Sequence, residues 1–198
     1  EITVLKVEDK YTTITKTIGE GFYSEKRSKF LAFAHHVESQ AQIREILSIY
    51  RKKYYDARHV CYAYILGADK ADYKMNDDGE PSSTAGKPIY GQIVSTDILI
   101  VVIRYYGGVN LGTGGLIVAY RTAAADALSH CVIEEKYIKE KITFTFPYVM
   151  MNGVMKVVKT MEPQIISQEF DNTCTITLSI RRSKAEELKN KLNSLSFE

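Results

Sequence analysis

Between Thr12 and Val37 the apolar and β-branched positions, Thr, Ile, Phe and Tyr, recur with rough alternation, a two-residue period that predicts two or three antiparallel strands with a turn at Gly19-Glu20-Gly21. The period then lengthens. Ile43, Ile46, Leu47 and Tyr50 fall on one stripe of a helix running to about Tyr54, and Ser39 with Gln42 supplies a capping box at its start. His59 to Leu66 is rich in aromatic and β-branched residues and predicts a buried strand. Gly67 to Lys87 is polar, has no apolar period and holds Gly79, Pro81 and Gly86, so a long loop is expected there; a loop of that length inside a domain is usually functional or disordered. Ile98 to Tyr106 is a continuous apolar run of the kind covered on both faces. Five glycines follow within Gly107 to Gly115, and Leu116, Ala119, Tyr120, Ala123, Ala127 and Leu128 then mark a second helix.

The last third has a different layout. Tyr137 to Phe146 alternates as a strand, Pro147 ends it, and a Met- and Val-rich helical segment reaches Met161. Gln164 to Phe170 and Thr173 to Ile180 are expected to pair across a two-residue turn at Asp171-Asn172. Ser183 and Glu186 suggest a capping box for a helix that turns Leu188, Leu192 and Leu195 inward. Strand, helix, two strands, helix is the ferredoxin-like order with its final strand at or beyond the end. The expectation is an α+β chain of two domains, 1–135 and 136–198, with a boundary near Glu134 to Lys136.

Composition narrows the function classes. The 198 residues are 45% hydrophobic and 25% charged, as in an ordinary globular protein. Twenty-six Lys and Arg against 24 acidic residues leave a net charge of +2, so any site for a polyanion has to be local. Cys61, Cys131 and Cys174 have neither disulfide nor zinc spacing, which suits a reducing cytoplasm. The apolar run from Ile98 to Ile103 is far short of the roughly 20 residues a membrane helix needs, and Glu1-Ile2-Thr3 does not open a secretory signal. No membrane association is expected.

Glycines ahead of a helix let a ligand approach the main chain, and the free N–H groups of the first helical turn face it. Gly107, Gly108, Gly112, Gly114 and Gly115 therefore mark a candidate phosphate site, although the same glycines could simply permit a tight strand-to-helix crossover. Their spacing matches neither the P-loop nor the dinucleotide fingerprint. Asp77, Asp78 and Glu80 could hold Mg²⁺ or Ca²⁺, or equally cap turns. Arg58 and His59 enter one strand and Arg104 and Tyr105 leave another, so both pairs could converge with the glycine loop; the plainer account pairs Arg104 or Arg58 with one of the three carboxylates. Cys61 lies within an apolar strand with no base spaced near it, and no Ser-His-Asp set can be assembled, so no catalytic residue, resident metal or cofactor is assigned.

Four segments are specific enough to compare with a family: Asp56-Ala57-Arg58-His59; Asp77-Asp78-Gly79-Glu80-Pro81-Ser82-Ser83-Thr84-Ala85-Gly86-Lys87-Pro88; Val102-Ile103-Arg104-Tyr105-Tyr106-Gly107-Gly108; and Leu111-Gly112-Thr113-Gly114-Gly115-Leu116. In this order they resemble the YigZ/IMPACT family over about residues 20 to 130, with Ser83 standing where the family pattern has Gly. The resemblance implies a first domain similar to the second domain of a small-subunit ribosomal protein, a fold shared with galactokinase-like enzymes, and a tail similar to the last domain of elongation factor G. It also implies translation-linked regulation, the role of eukaryotic IMPACT proteins. Shared folds do not by themselves fix function.

The expected function is a translation-linked binding protein for RNA, the ribosome or another phosphate-bearing ligand, in which Arg58, Arg104, Lys87 and the glycine loop contact phosphate. Two alternatives stand beside it. One is a metal-assisted enzyme on a small phosphorylated metabolite; the other is a module that binds a protein partner.

Overall fold

The computed structural model describes residues 9–195. Two compact units are present: Tyr11–Lys136, and the described part of Glu1–Lys10 with that of Tyr137–Glu198. The N-terminal reading at Glu1-Ile2-Thr3 and the final strand expected at the end of the chain lie outside the described residues. Among the described residues no helix is long and apolar enough to cross a membrane.

The larger unit contains β1 (Lys10–Ile14), β2 (Gly19–Glu25), β3 (Ser28–His36), α1 (Gln40–Lys53), β4 (His59–Leu66), β5 (Asp72–Asn76), α2 (Gly86–Tyr90), β6 (Ile98–Tyr105), α3 (Gly112–Ser129) and β7 (Ile133–Tyr137). Five strands form an antiparallel sheet in the order β2-β3-β6-β4-β5, and β1 pairs with β7 in a separate ribbon. The uninterrupted apolar run of β6 has a direct cause. It is the central strand, and helices cover both of its faces. Leu99, Val101 and Ile103 pack with Ile43, Leu47 and Tyr50 of α1 on one side. Ile98, Ile100 and Val102 pack with α2 and α3 residues, including Ile89, Leu116, Ala119 and Tyr120, on the other.

Alternation along these strands places the polar residues at the sheet end. Arg104 lies directly between Phe30 of β3 and His59 of β4 in the register. All three belong to the alternating set that faces α3, because Phe30, Cys61 and Val102 are in the core beneath that helix. Tyr105, one residue on, packs against the α1 side.

Several local expectations change. Gly19-Glu20-Gly21 is not a turn: it opens β2, and the reversal comes at Lys26 and Arg27, both with positive φ. A Cβ on Gly21 would stand 2.3 Å from the Ala127 nitrogen, so these glycines serve the close approach of β2 to α3. The polar stretch Gly67 to Lys87 contains the edge strand β5 and the start of α2, neither of which has an apolar period. Ser39 does cap α1, accepting from the Gln42 N–H at 3.2 Å, while the Gln42 side chain accepts from Glu38 rather than from Ser39 itself.

The second unit contains β8 (Lys139–Phe146), α4 (Met151–Met161), β9 (Gln164–Phe170), β10 (Cys174–Arg181) and α5 (Arg182–Asn193). β10 lies between β8 and β9 and is antiparallel to both, with Cys174, Ile176, Leu178 and Ile180 packing on Val154, Val158, Leu188 and Leu192 of the two helices. The β9–β10 connection has three residues, Asp171 to Thr173, instead of two. Ser183 is not an N-cap. α5 begins one residue before it, and the Ser183 N–H donates to Asp9 at 3.0 Å, a carboxylate that Arg181 also holds and that consequently titrates well below the usual range.

Candidate functional site

The loop between β5 and α2 is folded on itself by one carboxylate. Asp77 Oδ1 accepts from the Ala85 and Gly86 N–H groups at 3.2 and 2.8 Å, and Oδ2 accepts from Ser83 at 2.9 Å. Asp78 Oδ2 accepts from the Val60 N–H at 2.7 Å, which ties the loop to the start of β4. Both aspartates are thus occupied with backbone amides, the turn-bracing role rather than the ion-binding one. No group of three His, Cys, Asp or Glu side chains suited to a metal occurs among the described residues.

Glu80 is directed inward, 7% exposed, over the row of residues at the sheet end. Arg104 Nη1 donates to its two oxygens at 2.7 and 2.9 Å, and His59 Nε2 lies 2.7 Å from Oε1. The other ring nitrogen of His59 is 2.6 Å from the Asp78 carbonyl, which can only accept, so Nδ1 carries the hydrogen there. A buried charge of either sign is tolerated only when paired, and here Arg104 and Glu80 neutralise one another. Beneath them the Tyr120 hydroxyl contacts Cys61 Sγ at 3.4 Å, and burial pushes both the phenol and the thiol upward from their ordinary values.

Above this pair opens a cleft of about 440 Å³, lined by Arg58, His59, Gly79, Glu80, Pro81 and Arg104 from one side and by Tyr106, Asn110 to Thr113 and Leu116 from the other. The exposed Arg58 guanidinium lies over the Tyr106 ring at 5.1 Å from its centroid, and no carboxylate of the described residues lies within ion-pair distance of it. Tyr106 in turn donates to Asn110 Oδ1 at 3.0 Å. The Arg104 guanidinium packs 5.6 Å from the centroids of both Phe30 and Tyr106. Its Nε is the one buried side-chain polar atom without a partner among the described residues. Such an orphan donor costs about 1–3 kcal/mol.

The start of α3 completes the wall. Leu111 stands at the cap position, no side chain accepts from the first-turn amides, and no acidic residue lies in that turn. Those donors remain available to an anion. Gly112 has a φ of +73° and lines the cleft.

The sequence-derived candidates divide accordingly. Arg58, His59, Glu80, Arg104 and Gly112 come together around the cleft. Asp77 and Asp78 brace the loop behind it. Tyr105 is on the opposite face of the sheet, where its hydroxyl donates to Asp56 at 2.9 Å and burial with that carboxylate pushes its pKa up to about 12. Gly107 is set by packing: a Cβ there would be 2.2 Å from the Arg27 carbonyl carbon. Gly108, Gly114 and Gly115 shape the approach to α3 without lining the cleft, and Lys87 lies in a separate depression. Tyr106, offered by the sequence only as one of several tyrosines with a possible stacking face, lines the cleft, whereas Gly79, Pro81, Asn110, Leu111, Thr113 and Leu116 are lining residues that the sequence did not single out as binding residues. The signal was present for Tyr106, because two-residue alternation from Arg104 puts Tyr106, not Tyr105, back on its side.

Comparison with known proteins agrees with this organisation. The Impact N-terminal domain matches residues 26–128, which encloses the whole cleft. The chain is 31% identical over 176 residues to the IMPACT family member YigZ of Escherichia coli (strain K12), covering 86% of each chain. It is 36% identical over 133 residues to the IMPACT family member YvyE of Bacillus subtilis (strain 168), covering 65% of this chain and 61% of that one. A solved structure described as that of a hypothetical protein is 28% identical with a TM-score of 0.74, over 96% of this chain and 94% of the other. With the domain match and a relative that parallels it across both units, the chain belongs to the IMPACT family.

Proposed function

We propose that the protein is a translation-linked binding protein whose cleft at the β4–β6 sheet end takes a phosphate-bearing ligand, RNA being the class the family resemblance favours. The observation that carries this reading is Arg58. It is an exposed cation over an aromatic ring, without a carboxylate partner among the described residues, facing the uncapped first turn of α3. A guanidinium and a set of free amides around one concavity match the charge and acceptor geometry of a phosphate.

Binding is favoured over catalysis because the reactive side chains nearby are already engaged. Cys61 is buried, donates to the Asp77 carbonyl at 3.2 Å and has its thiol pushed up in pKa by burial. His59 holds an oxygen at each ring nitrogen. Neither presents an activated nucleophile or an unoccupied base to the cleft.

The test is titration of the full chain with inorganic phosphate and with a short RNA at two salt concentrations, wild type against Arg58→Ala, with both checked for folding. Wild-type binding that weakens with salt and falls about tenfold or more in the variant supports the reading. Binding unaffected by the substitution, or none at low salt, overturns it and directs attention to protein partners.

A further inference from the structure

A second depression of about 510 Å³ adjoins the first, and the two share Thr113. Its walls are the hydroxyl run Ser82 to Thr84 with Lys87 on one side and Ile117 and Arg121 of α3 on the other. Thr113, Ile117 and Arg121 are four residues apart and so form one stripe along the helix, about 12 Å long at 1.5 Å per residue. Lys87 and Arg121 are exposed, and no acidic side chain lines this depression. In the first cleft the single carboxylate, Glu80, is committed to Arg104 and His59. In a chain whose net charge is only +2, three cations without a carboxylate partner among the described residues, Arg58, Lys87 and Arg121, thus lie along one path past the first turn of α3.

We infer that the two depressions form one track for a single-stranded polynucleotide, with Arg58 holding one phosphate at the first cleft and Lys87 and Arg121 holding the backbone further along. The inference rests on the phosphate-binding reading of the first cleft and extends it to a ligand class. A lone phosphate or mononucleotide would engage the first cleft and leave Lys87 and Arg121 unused. The track also offers apolar contact surface for unpaired bases: the Tyr106 ring, 40% exposed beside the Arg58 guanidinium, at one end, and the half-buried Ile117 at the other. A duplex buries the base faces that such surfaces recognise.

The experiment measures affinities of the full chain for inorganic phosphate, an eight-residue oligouridylate and an eight-residue oligodeoxythymidylate, across a salt series. Wild type is compared with Lys87→Ala/Arg121→Ala and with Arg51→Ala/Lys52→Ala, a control of equal charge change at the exposed end of α1. The expected result is an oligonucleotide affinity well above that for phosphate, reduced about tenfold in the Lys87/Arg121 variant alone. The slope of log affinity against log salt should fall there by about 1.4, two contacts of about 0.7 each, while phosphate affinity stays within about twofold of wild type. The two oligonucleotide arms decide between RNA and DNA as the source of the strand. The inference is overturned if the Lys87/Arg121 variant binds either strand as wild type does, if the α1 control loses as much, or if the oligonucleotides bind no better than phosphate. Phosphate binding that persists in those cases leaves the first-cleft reading standing, whereas loss of all binding in wild type removes both.

Discussion

Arg104 donates from a single nitrogen to both oxygens of Glu80, and the two side chains are 5% and 7% exposed. Neither charge has water to fall back on, so each depends on the other. Glu80→Ala should therefore destabilise the protein by about 3–5 kcal/mol, because it strands the buried guanidinium. The double variant Glu80→Leu/Arg104→Met should recover most of that loss. Chemical denaturation of the three proteins, compared by midpoint and slope, checks both expectations.

Two glycines should respond in opposite directions to the same added methyl. Gly21 faces the α3 backbone, with the Ala127 nitrogen 2.3 Å and the Ala123 carbonyl oxygen 2.7 Å from where a Cβ would stand. Gly21→Ala should cost about 1–3 kcal/mol through overpacking. Gly114 lies within α3, has no positive φ and has open space around its Cα. Gly114→Ala should stabilise by about 0.5–1 kcal/mol, since alanine loses less entropy in a helix. Thermal melts of both variants against wild type give the two signs.

His35 predicts an acid response. It packs edge-on against Tyr50 and shares a hydrogen bond with its hydroxyl, and burial lowers its pKa from 6.5 to about 4. Between those values the unfolded chain binds a proton that the folded chain refuses, so stability falls as pH drops through the window. One proton contributes a slope of at most about 1.4 kcal/mol per pH unit, and partial exposure of the ring reduces it. His35→Gln should flatten the dependence of denaturation midpoint on pH between about 6.5 and 4 relative to wild type; parallel curves would refute the assignment.

What could be read from the chain follows the range of the interactions involved. The β6 run and the α1 stripe with its Ser39 cap depend on near neighbours, and both are legible in the sequence. Gly19 and Gly21 look like turn residues because nothing local announces that α3, about a hundred residues on, lies against them. β5 is an edge strand with mostly exposed side chains, so it lacks an apolar period. Ser183 resembles a cap in sequence, but Asp9 occupies its amide from the far end of the chain.

The site follows the same rule. An arginine paired with one of three nearby carboxylates was expected, but only the register that sets His59 beside Arg104 explains why Glu80 is the partner. Asp77 and Asp78 are spent on amides within or beside their own loop. The placement of Tyr106 beneath Arg58 required the strand to be given a face first.

The Asp77 carboxylate, by gathering the amides of Ser83, Ala85 and Gly86, turns a polar segment that looks pliable in sequence into a closed clasp. A ligand that meets the Ser82–Thr84 segment consequently finds its backbone already held in place. Little conformational entropy then remains to be lost on association, and selectivity at that wall comes from shape and charge instead of from an order-on-binding transition.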